Sequence, residues 1–246
     1  MSPEDILLTG LILLAATLYS SVGHAGASGY LAAMALLGVS VTVMKPTALA
    51  LNVLVALVAT TQYYRAGAFS WRLFWPLAMT AIPMAYLGGT LTLPSHIYKP
   101  VLGVVLIYAA WRSFHSAHSY GKLNDTPPRI AYLFLMGATL GFLSGLTGVG
   151  GGIFLSPLLL LFRWAQIKVI SGVAAAFILV NSIAGLLGTL TTSSTLPEAL
   201  PYWAMAALLG GFIGSEYGSK RLGNPSIHKL LALVLLIAGL KMVATA

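Results

Sequence analysis

The sequence has no cysteine. That removes disulfides, thiol nucleophiles, iron–sulfur clusters and thiolate metal sites together. Charge is nearly as scarce. Five acidic and 13 basic residues make up 7% of the 246-residue chain, against about 25% in an average soluble domain. Hydrophobic residues make up 58%. No soluble fold hides that much apolar surface, so a cytosolic enzyme is excluded, and so is a nucleic-acid module despite the net charge of +8. The apolar runs are continuous and do not alternate, which excludes a membrane β-barrel. What remains is an all-α polytopic membrane protein. Ten spans of about 20 residues would use most of the chain and leave only loops. The opening stretch Met1-Ser-Pro-Glu-Asp-Ile-Leu-Leu8 has no basic region before its apolar run, and reads as the start of a retained helix.

Glycine, proline and charge cut the chain into ten apolar segments, roughly 6–22, 30–43, 46–64, 73–93, 98–114, 130–147, 153–164, 167–190, 202–217 and 229–245. The segments 30–43 and 153–164 are too short to cross a hydrocarbon core of about 30 Å. Each follows a glycine-rich break, Gly23-His-Ala-Gly-Ala-Ser-Gly29 in one case and Gly148-Val-Gly-Gly-Gly152 in the other. Both halves show the same order: a helix, a glycine break, a short helix, a lysine (Lys45 or Lys168), then three longer helices. Pro94-Ser-His-Ile-Tyr-Lys99 opens the fifth segment and Pro225-Ser-Ile-His-Lys229 the tenth. The expected organisation is one integral membrane domain of about eight to ten membrane segments. A first five-segment repeat covers 1–114, a linker 115–129, and a second five-segment repeat 130–246.

Charge sets the expected orientation. The loop 65–72 carries Arg65 and Arg72 and no acid, whereas its counterpart 191–201 carries Glu198 and no base. Lys and Arg in short loops stay cytoplasmic. Equivalent loops therefore face opposite sides, which an odd number of segments per repeat requires, and the repeats are expected to be inverted. Three bases, Lys45, Lys99 and Lys241, fall on the outer side in this scheme. The linker holds His115 and His118 at a helical spacing, but Gly121, Pro127 and Pro128 argue against an ordered metal site there, and no metal or cofactor is expected.

Inverted repeats with interrupted helices characterise secondary transporters. Non-helical backbone at membrane depth is tolerated only against protein or a water-filled cavity. The helix after such a break offers unpaired N–H groups and a positive dipole end, which favour an anion. The candidate binding residues are Gly23, His24, Gly26 and Ser28 in the first break, and Thr147, Gly148, Gly150, Gly151 and Gly152 in the second. Asn52 and Asn181 join them as polar residues inside long apolar segments. Lys45, Arg163 and Lys168 are expected at the mouths by which an anion arrives. The acids Asp5, Asp125 and Glu198 lie in the tail or loops, and Glu216 precedes Lys220 by four residues as in a helical ion pair. With no central carboxylate, His24 is the candidate proton carrier. Trp71, Trp75, Tyr202 and Trp203 read as interfacial anchors. A homo-oligomer is compatible with all of this.

The run Gly145-Leu-Thr-Gly-Val-Gly-Gly-Gly-Ile-Phe-Leu-Ser-Pro157-Leu-Leu-Leu-Leu resembles the glycine–proline signature of the sulfite exporter TauE/SafE family. Arg65-Ala-Gly-Ala-Phe-Ser-Trp-Arg72 also resembles that family's basic loop. The first break resembles it less closely, with His24 and Ala25 interrupting the glycine run. The resemblance implies a multi-pass carrier in the inner, cytoplasmic membrane for small sulfur-containing anions such as sulfite or sulfonates. A passive anion channel is the nearest alternative. A further one is an intramembrane serine protease, since Gly26-Ala-Ser-Gly29 resembles the nucleophile motif of rhomboids; it lacks a histidine on a suitable apolar helix.

Overall fold

The computed structural model describes residues 3–115, 128–192, 196–220 and 225–245. They form ten helices: α1 (Pro3–Ser20), α2 (Ala27–Leu36), α3 (Val41–Arg65), α4 (Trp71–Thr90), α5 (Ser95–His115), α6 (Ile130–Thr147), α7 (Gly152–Leu161), α8 (Ile167–Leu190), α9 (Leu200–Lys220) and α10 (Pro225–Ala244). Four of them, α1, α3, α6 and α8, are long and apolar enough to cross a membrane. The chain is an all-α polytopic membrane protein.

The short helices α2 and α7 have 10 residues each, so they reach about 15 Å, half the depth of a bilayer core. α2 is shorter than the apolar run suggests. Gly38 adopts φ 73°, its N–H donates to Ala35 O, and the N–H of Val39 donates to Met34 O, which closes the helix. α3 then starts at Val41, so Lys45 lies within a helix and not in a connection. α7 ends the same way, but with Arg163 at φ 54° in the position that Gly38 fills in α2. A non-glycine residue there costs about 1–2 kcal/mol.

The long helices α3 and α8 pack on one another and form the middle of the bundle. α9 lies against α1 and α3, α4 against α6 and α8, and α5 against α10. Two glycine ladders bring backbones together. On α6, a Cβ at Gly137, Gly141 or Gly145 would strike the carbonyls of Leu77, Ala81 or Ala85 on α4. On α9, a Cβ at Gly210, Gly214 or Gly218 would strike those of Leu13 and Thr17 on α1 or of Ser21 just past it. Small residues four apart let membrane helices approach where lipid supplies no hydrophobic drive for them to associate.

The outer faces are apolar, as a lipid-facing surface requires: Leu7, Leu57, Met79, Leu135, Leu187 and Met205 are all exposed. Trp71 and Trp75 are also exposed, stacked at the start of α4 beside Phe69. Trp203 departs from its expected role as an anchor. It is 3% exposed and belongs to the core cluster with α1 and α2 residues, because α9 turns that position inward while its neighbour Tyr202 faces out.

Candidate functional site

Each break is a short non-helical turn with the same backbone signature. In the first, Gly23, Ala25 and Gly26 have φ of 78°, 52° and 128°. In the second, Gly148, Gly150 and Gly151 have φ of 81°, 84° and 80°. The left-handed positions have the same spacing in both. Glycine takes them without steric cost, and Ala25 does not.

The second break lies beside polar side chains from the middles of α3 and α8. A Cβ built on Gly150 would be 2.6 Å from Asn52 Nδ2, 2.9 Å from Ile178 and 3.4 Å from Ser182 Oγ. One on Gly151 would be 2.9 Å from Phe177, 3.3 Å from Ser144 and 3.4 Å from Asn181 Nδ2. One on Gly152 would meet Ile178 and lie 3.6 Å from His24 Cδ2. The half-buried imidazole of the first break thus reaches the helix start at the second. The sequence-predicted residues His24, Asn52, Asn181, Gly150, Gly151 and Gly152 therefore come together.

This cluster is short of internal partners. Asn52, Asn181, Ser144 and Ser182 are fully buried. Asn52 Nδ2 and Ser182 Oγ are 3.4 Å apart. Asn52 Oδ1, Ser144 Oγ and both amide atoms of Asn181 have no protein partner. Leaving a buried polar group unsatisfied costs about 1–3 kcal/mol. The first N–H groups of α7 also lack helical acceptors, as at any helix start. Together they set uncharged polar groups against the second break at mid-helix depth.

The other predicted residues are placed differently. Gly23 packs on Ser171 of α8, and Gly148 packs on Lys45 of α3, where a Cβ would be 3.3 Å from Lys45 Cα and Cγ. Gly26 is closed over by Tyr30, whose hydroxyl donates to Ala25 O at 2.8 Å. Ser28 is buried within α2. Thr147 is tied to backbone: its hydroxyl donates to Leu143 O, and Tyr98 Oη donates to its carbonyl at 2.8 Å. Arg163 is exposed at the end of α7, and Lys168 is half-buried at the start of α8.

Lys45 is buried, and its ammonium donates to Gly88 O, Gly89 O and Leu91 O at 3.3, 2.9 and 3.0 Å. It closes the carbonyl end of α4. The other two bases expected on the outer side do similar work. Lys99 Nζ donates to Thr245 O at 2.6 Å, just past α10, and Lys241 Nζ donates to Leu36 O at 2.8 Å, the last residue of α2. A cation at a helix C-terminus is stabilised by the final carbonyls and the dipole. The expected Glu216–Lys220 ion pair is present at 2.6 Å on the surface. Among the described residues no group of three or more His, Asp or Glu could hold a metal. The side chains of His115 and His118 lie outside the described residues.

Residues 8–242 match the model of the family described as sulfite exporter TauE/SafE. The chain belongs to the TauE/SafE family. It is 41% identical over 246 residues to a probable membrane transporter protein of Sinorhizobium fredii, covering 98% of this chain and 99% of the relative. A probable membrane transporter protein of Bacillus subtilis is 28% identical, covering 97% and 99%. One of Methanocaldococcus jannaschii is 30% identical over 128 residues, covering 51% of this chain and 47% of the relative. No solved structure matches the chain. TauE/SafE membership makes it a multi-pass membrane transporter and not an enzyme, which disposes of the rhomboid alternative.

Proposed function

We propose that the chain carries small sulfur-containing oxyanions, sulfite or sulfonates, across the cytoplasmic membrane, and binds them at the second break. The observation that carries this reading is the set of buried polar atoms without protein partners, on Asn52, Asn181 and Ser144, around three left-handed glycines at the start of α7. An oxyanion needs donors, close backbone approach and shelter from lipid, and these residues offer all three. The sulfur chemistry comes from the family description alone.

The reading includes an inverted repeat of five helices per half, with the boundaries expected from the sequence. Helix pairing supports it. Replacing each helix by the one five places along turns the α1–α9 pair into α6–α4 and α3–α9 into α8–α4, and leaves α3–α8 and α5–α10 unchanged. The matching left-handed positions of the two breaks support it too. So does the commitment of Lys45, Lys99 and Lys241 to carbonyl ends, which gives each exception to the charge rule a structural reason.

Two measurements test the reading. In liposomes containing the purified protein, uptake of sulfite or a sulfonate should saturate with concentration; its absence would remove the function, and a linear rise would favour a channel. For orientation, cysteines in place of the exposed Ala66 and Glu198 should react with an impermeant reagent from opposite sides. Reaction of both from one side would end the inverted reading.

A further inference from the structure

We propose that the end of the bundle where one turn joins α3 to α4 and another joins α7 to α8 binds an anionic phospholipid, with arginines on its phosphate and an outer face of α4 along its acyl chains. This surface is separate from the second break and does not rest on the transport site.

Contacts between their neighbours bring the basic residues together. The rings of Tyr64, Phe69, Trp71, Phe74 and Trp75 form one chain, with centroids 5.0 to 6.3 Å apart. Leu73, Phe74, Leu133 and Ile170 share a core cluster, against which Phe69 and Trp164 pack. A Cβ on Gly172, one turn beyond Lys168, would strike Ala68 O. α6 runs parallel to α4, with Gly145, Gly141 and Gly137 against Ala85, Ala81 and Leu77. One turn back sets Leu133 by Leu73, and a second sets Arg129 by the turn that holds Phe69. Arg65, Arg72, Arg129 and Arg163 therefore gather at this end, all exposed, with the half-buried Lys168 beside them.

No opposite charge offsets them among the described residues, where none of the four makes an ion pair. α1 and α9 run side by side, and the carbonyl of Ser21, just past α1, accepts the Tyr63 hydroxyl from the end of α3. The C-terminal ends of α1, α3 and α9 thus share one end of the bundle. Glu4 and Asp5 at the start of α1, and Glu198 before α9, lie at the other. Glu216 is held by Lys220.

A basic patch at a membrane surface attracts anionic headgroups, and a guanidinium pairs with phosphate through two parallel hydrogen bonds. The exposed indoles of Trp71 and Trp75 settle at headgroup level, which puts the adjacent Arg72 at the depth of the phosphates. From there α4 presents Trp75, Met79, Ile82 and Tyr86, all exposed at helical spacing. From Trp71 to Tyr86 this stripe runs about 22 Å, enough to line an acyl chain through one leaflet core of about 15 Å. A free phosphate would engage the arginines alone. A lipid engages both the arginines and the stripe, and that continuity favours the lipid.

The test uses the full-length protein in vesicles of phosphatidylcholine and phosphatidylglycerol, with brominated chains on one lipid or the other. Quenching of tryptophan fluorescence reads which lipid lies against the protein. Brominated phosphatidylglycerol should quench more than brominated phosphatidylcholine at equal mole fraction, with an apparent affinity at least about tenfold higher at low salt. High salt should shrink that preference. Arg72→Gln combined with Arg129→Gln should remove most of it, whereas the paired lysine substitutions should keep part of it. Soluble glycerol phosphate should not displace the brominated lipid. Equal quenching by the two lipids in the wild type overturns the proposal whether or not the variants fold. So does a preference that survives the double glutamine change, since charge elsewhere then holds the lipid. Displacement by glycerol phosphate also overturns it, because the patch would then serve a free phosphate. Loss of anion uptake in the same vesicles bears on the carrier reading and leaves this one standing.

Discussion

The two breaks share a backbone but not a surface. The positions at Gly23, Ala25 and Gly26 correspond in spacing and in φ to Gly148, Gly150 and Gly151. In the first break, Ala25 is fully buried with a methyl where the second has glycine, and the hydroxyl of Tyr30 donates to its carbonyl. In the second break the corresponding residue, Gly150, faces Asn52 and Ser182. The first break is tied down by the Tyr30 hydroxyl, whereas the second lies against buried amide atoms that lack protein partners. The same turn occurs at both breaks, and a methyl and a hydroxyl distinguish the first from the one proposed to take the ligand.

The largest effect should come from putting a side chain into the second break. Gly150→Val places a branched side chain at φ 84° and 2.6 Å from Asn52 Nδ2, so uptake should vanish. Size-exclusion chromatography in detergent would show whether the protein still folds. Uptake like that of wild type would show that the two breaks are equivalent struts.

Asn181→Leu should sharpen the same contrast in two opposite ways. It removes a buried amide with no protein partner, so thermal stability without substrate should hold or rise. It also removes donors from the anion, so affinity should fall about 10- to 100-fold. Melting temperature and substrate affinity together check this, and a drop in stability with unchanged affinity would make Asn181 a packing residue.

A smaller effect is expected where the short helices end. Arg163 holds the left-handed position that Gly38 fills in the other half. Arg163→Gly should therefore raise stability by less than about 1 kcal/mol, since added freedom of the unfolded chain offsets part of the relieved strain, and the melting temperature should rise slightly. The same variant reports whether the exposed guanidinium helps anions arrive, through a higher half-saturation concentration at low salt.

Ala25→Gly should do least. Relief of left-handed strain is about 1 kcal/mol, and the added freedom of the unfolded chain takes back most of it. Uptake should change little, because Tyr30 still closes the first break. A large gain in uptake on this change alone would mean that the missing methyl, and not Tyr30, separates the two halves.

Much of this architecture was readable from residues. Ten apolar segments were expected and ten helices are found among the described residues, with ends within a few residues except at the α2–α3 junction, because long apolar runs broken by glycine and proline leave few alternatives in lipid. The two breaks and Asn52 and Asn181 were also visible, as glycine clusters and as polar residues in apolar segments. Other features were not legible. Lys45 looked like a connecting residue because Gly38, a residue that favours a helix end, sits inside a continuous apolar run, and the ammonium bonds lie more than 40 residues away at the end of α4. Trp203 looked like an anchor because an aromatic at a segment end carries no sign of which way its helix is rotated.

The sequence by itself determined that the chain lives in a membrane, that it is helical, and where its backbone must leave the helix. Those are consequences of composition and of glycine, and each can be decided locally. The tertiary structure alone decided which side chains meet at each break. That depends on Tyr30 reaching Ala25, on Asn52 and Asn181 arriving from two different helices, and on Lys45 turning away to α4. Such contacts are set by how helices pack and rotate against each other, and no stretch of sequence encodes that on its own.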